Sequence, residues 1–282
     1  MALFRSILQC LAIFCACLLQ SFNASADPQR VTISGNPNTN KADPAYFYEQ
    51  ILNVALEKTR ITDGDFVIAH NVHGGGIARD RAMVIADAGI DVMWGSATKE
   101  RQEQMRLVPV DLLKNLNNYR VLLIHKDSKN DFAQVKTLED LKKFTVGSGE
   151  HWTDGNIFKD NGFNVSFTSS YWGLYKMLAA HRFQFISRGL HEIGFDVATF
   201  ADLGLVQQDT ILIKYSAPVS YCFFVNKNNV ALADRIERGL RLAQADGTFD
   251  KMFYEVPSFK EGDELLKNAH RILLEIKNTK VD

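Results

Sequence analysis

Asp91-Val92-Met93-Trp94-Gly95-Ser96-Ala97-Thr98-Lys99-Glu100-Arg101 is the stretch on which the fold of this chain turns. Its start, with the preceding Ile90, gives Ile90 to Trp94, apolar but for Asp91 and bounded by glycine, which reads as a strand. Upstream, Arg30 to Ser34 and Asp65 to His70 read as two more strands. Between them, Phe47, Ile51, Val54 and Leu56 recur at helical spacing over Ala45 to Lys58. Asp43-Pro44 offers that helix an N-cap and a first-turn proline. Ala78 to Ala88 reads as a short second helix. Strands and helices alternating at this spacing imply a mostly parallel sheet with covering helices.

Downstream, the pattern repeats. Strands are expected at Arg120 to His125, Phe144 to Gly147, Asn164 to Phe167, Phe183 to Ser187, Ile211 to Lys214 and Val219 to Asn226. Helices are expected at Leu138 to Leu141, Trp152 to Lys159, Tyr171 to Ala180, Val230 to Ala245, Thr248 to Tyr254 and Glu264 to Ile276. Asp246-Gly247 separates two of the last three, with glycine as a C-cap. No low-complexity linker divides the repeats. Two α/β lobes joined by continuous strands are therefore expected. The apolar strands at 120–125 and 219–226 are the natural crossovers.

With 46% hydrophobic and 23% charged residues among 282, the composition is globular and excludes a disordered or fibrous chain. Lys plus Arg number 32 against 33 Asp plus Glu, so no basic excess points to nucleic acid. The apolar run Ile7 to Leu19 follows Arg5 and precedes Ala24-Ser25-Ala26. It is shorter than the ~20 residues a membrane span needs. Residues 1–26 are therefore expected to be a secretory signal peptide. Its removal takes away Arg5 alone, so 31 basic groups face 33 acidic ones and the net charge is -2. It also takes Cys10, Cys15 and Cys17, leaving Cys222 and no internal disulfide.

Three segments together resemble the family 3 extracellular solute-binding proteins, the two-lobed periplasmic receptors of amino-acid-type ABC importers. One is the strand followed by Thr98-Lys99-Glu100-Arg101, similar to the family's T-x-x-R segment. Another is Tyr221-Cys222-Phe223-Phe224-Val225-Asn226-Lys227, similar to its returning hinge strand. The last is Gly239-Leu240 through Asp246-Gly247-Thr248-Phe249, similar to its late helix pair. The resemblance covers roughly 30 to 255. It implies an α/β fold of type II: two mostly parallel lobes joined by two hinge strands, closing around a ligand. The expected division is a first lobe over 27–118, a second over 119–218 and a return to the first over 219–282. A monomer in the periplasm, an inner-membrane ABC permease as partner, no cofactor and no enzymatic activity are implied as well.

The resemblance also assigns residues. Arg101 matches the arginine that holds the ligand's α-carboxylate, where a planar fork makes two parallel charge-assisted hydrogen bonds. Ser96 and Thr98 match positions that help bind the same anion. Ser148 and Gly149, in a glycine loop before a helix, match the loop that clamps the ligand from the second lobe; a tight turn needing glycine is the other reading. Arg188 stands where amino-acid binders usually carry an aspartate. Either it draws a second anionic group, as in a dicarboxylate or acidic amino acid, or it forms a structural pair with Glu192. Trp94, Tyr171 and Trp172 offer an apolar wall, although Trp172, Tyr175 and Leu178 also sit at core-like helical spacing. His70-x-x-His73 has metal-like spacing, but no acidic or thiol partner is close in sequence, and no metal is expected. A ligand-sensing module for a membrane receptor, and a lyase or dehydratase on the same fold, are the alternatives.

Overall fold

The computed structural model describes residues 27–73, 76–267 and 270–281. The expected signal peptide, with its three cysteines, lies outside the described residues, as do Gly74 and Gly75. Twelve strands are described: β1 (29–34), β2 (66–71), β3 (92–96), β4 (105–107), β5 (119–125), β6 (146–149), β7 (165–168), β8 (185–189), β9 (205–207), β10 (211–215), β11 (221–226) and β12 (272–276). The helices are α1 (44–58), α2 (60–63), α3 (77–85), α4 (99–104), α5 (129–133), α6 (138–141), α7 (153–160), α8 (171–179), α9 (193–199), α10 (230–245), α11 (248–255) and α12 (257–267). Asp43 caps α1 by accepting from the Ala45 amide at 2.8 Å, with Pro44 in its first turn. Asn229 caps α10 in the same way, accepting from Leu232 at 3.2 Å.

The strands form two groups. In the first lobe β1 and β2 pair in parallel, and β11 lies antiparallel between β3 and β4. Thr32 and Asp91 link β1 to β3 through bonds of 2.7 and 2.8 Å. The second lobe carries a seven-stranded sheet of order β12-β10-β5-β8-β6-β7, with β9 also on β5. There β5 is antiparallel to each partner, while the other pairs are parallel. The chain crosses from the first group to the second through 108–118, directly into β5. It returns through 216–220, directly into β11. Each crossing thus feeds a strand that runs against its neighbours.

Alternation along these two strands fills two cores. Val121, Leu123, Phe223 and Val225 enter one apolar cluster, and Leu122, Ile124, Cys222 and Phe224 the other. All eight are essentially inaccessible to solvent. Complete burial of an aliphatic side chain contributes about 1.5–3 kcal/mol, so the strands around the crossings are anchored on both faces.

The C-terminal segment departs from expectation. The helix expected over Glu264 to Ile276 ends at Lys267, and Ile272–Ile276 is strand β12. Leu274 and Ile276 are buried while Leu273 is exposed, a period of two that no helix could satisfy. Moreover, β12 pairs in parallel with β10, so 272–276 joins the second sheet and not the first lobe. The chain then reaches back, and the Lys280 carbonyl accepts from the Lys99 amide at the start of α4. Helix α9, absent from the sequence reading, occupies 193–199. Among the described residues no helix is long and apolar enough to cross a membrane.

Candidate functional site

A cleft of about 450 Å³ lies between the two groups of strands. Of the residues singled out in sequence, Trp94, Ser96, Arg101, Tyr171, Arg188 and Glu192 line it. Thr98 instead lines an adjoining cavity of about 440 Å³. Its hydroxyl caps α4, accepting from the Arg101 amide at 3.4 Å. Ser148 is buried and turns its hydroxyl to the Gly149 carbonyl at 3.2 Å. Gly149 lies directly beneath the Trp152 indole. The segment after this loop, His151 to Asp154, forms the second-lobe wall in its place. Trp172 is largely exposed, whereas Tyr175 and Leu178 are core.

Arg101 is buried on α4, just after β3. Its Nη1 donates to the Ser96 carbonyl at 2.8 Å. No carboxylate lies within ion-pair distance of it among the described residues. Burial lowers its pKa, with the Tyr221 hydroxyl opposing. Gly95 makes room for it, since a Cβ there would stand 2.8 Å from Nη1. The same side of the cleft holds Asp80 on α3, whose Oδ1 is buried with no hydrogen-bond partner. Trp94 and Tyr221 frame this wall by packing on Tyr48, at 5.4 and 5.3 Å between ring centroids.

The opposite wall is built differently. Arg120, on β5, donates to Asp154 at 2.8 Å, to the Tyr215 hydroxyl at 3.2 Å and to Asn117 at 3.4 Å. It also lies 3.7 Å from Glu192. Arg188, on β8, donates through Nε to Asp196 and lies 3.3 Å from Glu192. Its guanidinium stacks over Trp152 at 4.7 Å. Asp196 also accepts from the Tyr171 hydroxyl at 3.3 Å, and Asp154 from that of Tyr215.

Burial would lower both arginine pKa values, but the carboxylates around them more than offset it and hold both above the usual value. At the Asp154 and Asp196 carboxylates burial outweighs the pull of the arginines and holds both above the usual carboxylate value. A guanidinium does not lose its proton in proteins, so the ion pair is the form these distances fit. Burial would raise Glu192, yet Arg188, His191 and Arg120 pull it down to about 2. Burial pushes His191 down to about 4, so it is neutral near pH 7.

Sequence reasoning missed Arg120, Asp154 and Tyr215, whose partners are far apart in the chain, and Asp196, which meets Arg188 from eight positions away. The one local signal was Arg188 and Glu192 at i and i+4, and these do pair. His70 has an acidic neighbour that spacing did not reveal, Glu49 on α1, at 3.3 Å.

No family model matches the chain, and no curated protein matches it. Solved structures do. An ancestral arginine-binding protein bound to glutamine is similar over 83% of this chain and 100% of that one, at 17% identity and a TM-score of 0.62. A Streptococcus pneumoniae amino acid ABC transporter substrate-binding protein bound to L-arginine is similar over 83% and 94%, at 12% identity and a TM-score of 0.62. A histidine kinase sensor domain with similarity to periplasmic binding proteins is similar over 80% and 94%, at 14% identity and a TM-score of 0.58. The chain therefore has the two-lobed α/β fold of periplasmic binding proteins.

Proposed function

We propose that the protein is a periplasmic solute-binding protein that captures a small amino-acid-like solute in the cleft and delivers it to an inner-membrane ABC permease. The observation that carries this is the state of Arg101, a buried guanidinium in the cleft with no carboxylate partner. A buried cation without a counter-ion is costly, and a ligand carboxylate would relieve that cost through a bidentate bond. Asp80, with its unpartnered buried oxygen on the same side, is the complementary group for an ammonium. Together they favour a zwitterion. The expectation of a second anionic group at Arg188 loses its ground, because Asp196 and Glu192 already neutralise that arginine. Closure would be a population shift toward the form in which both lobes touch ligand. The named neighbours, transporter receptors among them, support this reading.

A sensing role is the second reading, favoured by the likeness to a histidine kinase sensor domain. Catalysis has no comparable support. His191 and Glu192 stand in the cleft, but the latter is engaged by Arg188 and by the Gly189 amide.

A thermal-shift and calorimetric screen over neutral, acidic and basic amino acids, dicarboxylates and polyamines tests the proposal. A native-state ligand at 100 times its Kd raises stability by about 2.7 kcal/mol. Stabilisation by an α-amino acid is expected. Stabilisation by polyamines alone would refute a carboxylate anchor. Neighbouring permease and ATPase genes would separate transport from sensing.

A further inference from the structure

Outside the cleft, His125, Asp127 and His181 come together from three segments. His125 ends β5, Asp127 lies in the 3-10 turn Lys126–Ser128, and His181 lies in the turn between α8 and β8. Each offers one ligand atom, and the three atoms lie within 4.8 Å of one another. The imidazole rings meet edge to face at 4.5 Å between centroids. The His181 backbone is left-handed, with φ 54, and is held there by the bonds His181 N to Leu178 O and Arg182 N to Met177 O, both 3.0 Å. Gly204, also left-handed, keeps the far side of His125 open: a Cβ there would stand 3.0 Å from Nε2.

We propose that these three residues bind a divalent transition ion of the zinc type. Two imidazoles and one carboxylate suit zinc, with water as the fourth ligand of a tetrahedral site. Zinc–ligand bonds of about 2.0–2.1 Å place tetrahedral ligands about 3.4 Å apart, so the side chains must draw together by about 1 Å. Asp127 and His181 are exposed, and the Asp127 carboxylate already lies 3.4 Å from His125 Nδ1. The site is separate from the cleft. His125 lies five residues along β5 from Arg120, about 16 Å at the rise of a strand. The ion would clip the end of β5 to the α8–β8 turn and so stabilise the second lobe.

The test is calorimetric titration of untagged, chelator-stripped protein with zinc chloride, repeated on His181→Asn and Asp127→Asn. Asparagine tolerates the left-handed backbone, so the first variant keeps the turn. One zinc per chain is expected in the parent, with affinity at least tenfold weaker in each variant. Cobalt should give the visible bands of a four-coordinate site in the parent and not in His181→Asn. Absence of zinc binding overturns the proposal. So does stoichiometry and affinity unchanged from the parent in both variants, which would place the ion on other residues.

Discussion

The two walls of the cleft both present buried arginines, yet they do opposite things with them. On the second-lobe wall, Arg120 and Arg188 are saturated by Asp154, Asp196 and Glu192. On the first-lobe wall, the Arg101 guanidinium has only the Ser96 carbonyl among the described residues. An arginine in a cleft is therefore not by itself a ligand charge. Its partners decide whether the field reaches the ligand or is spent within the protein. One wall is internally paired, with three carboxylates around two arginines, and the other carries a cation that no carboxylate matches among the described residues.

The largest expected break in this comparison is Arg188→Ala. It strands Asp196 without its cation and leaves Glu192 with Arg120 alone, and removing one member of a buried pair costs about 3–5 kcal/mol. Urea unfolding of the ligand-free protein should show that loss, whereas Arg101→Ala should leave ligand-free stability unchanged or raised. A comparable loss in both variants would erase the distinction between the walls.

Acid sharpens the contrast by a somewhat smaller amount. His191 is buried and neutral between the walls, with a folded-state pKa of about 4 against an ordinary 6.5. The unfolded chain therefore binds more protons between these values, so stability falls as pH drops from about 6.5 to about 4. The shift corresponds to roughly 3 kcal/mol. Glu192 adds a further loss below about 4.5, as its carboxylate is protonated on the way to about 2. His191→Gln should flatten the first of these two limbs in a series of melting temperatures across pH. An unchanged slope between pH 6.5 and 4 would mean that His191 is not the titrating group.

Tyr171→Phe should have the smallest effect. Its hydroxyl makes two long bonds of 3.3 Å, donating to Asp196, which keeps Arg188 in any case, and accepting from the Tyr175 hydroxyl. A stability change near 1 kcal/mol is expected by denaturant titration. A loss as large as that of Arg188→Ala would show that the platform depends on the tyrosine.

Much of this fold was legible in the chain, for reasons that differ by element. The alternation of Val121, Leu122, Leu123 and Ile124 between two cores shows in sequence as an unbroken apolar run, because both faces are buried. The run ending in Thr98-Lys99-Glu100-Arg101 carried the resemblance and the cleft arginine together. By contrast, Ile272–Ile276 read as the tail of a helix. Its five residues are too short for periodicity to choose, and its pairing with β10 is set by a contact some 60 residues away. The same limit hid the second wall: Arg120 and Asp154 stand 34 positions apart, and Asp154 and Tyr215 stand 61. No local pattern reveals that a charge is already neutralised. Arg188 was visible as a cleft arginine, but its saturation by Asp196 was not.

The most direct test of the account is the dissociation constant, by calorimetry, of the amino acid that binds the parent protein most tightly, measured again on Arg101→Ala. Truncating one side of a buried, hydrogen-bonded charge pair costs at least about 2 kcal/mol, so the account predicts affinity weaker by at least ~30-fold, with a melting temperature without ligand that is unchanged or raised. An unchanged dissociation constant in a folded Arg101→Ala protein would contradict it.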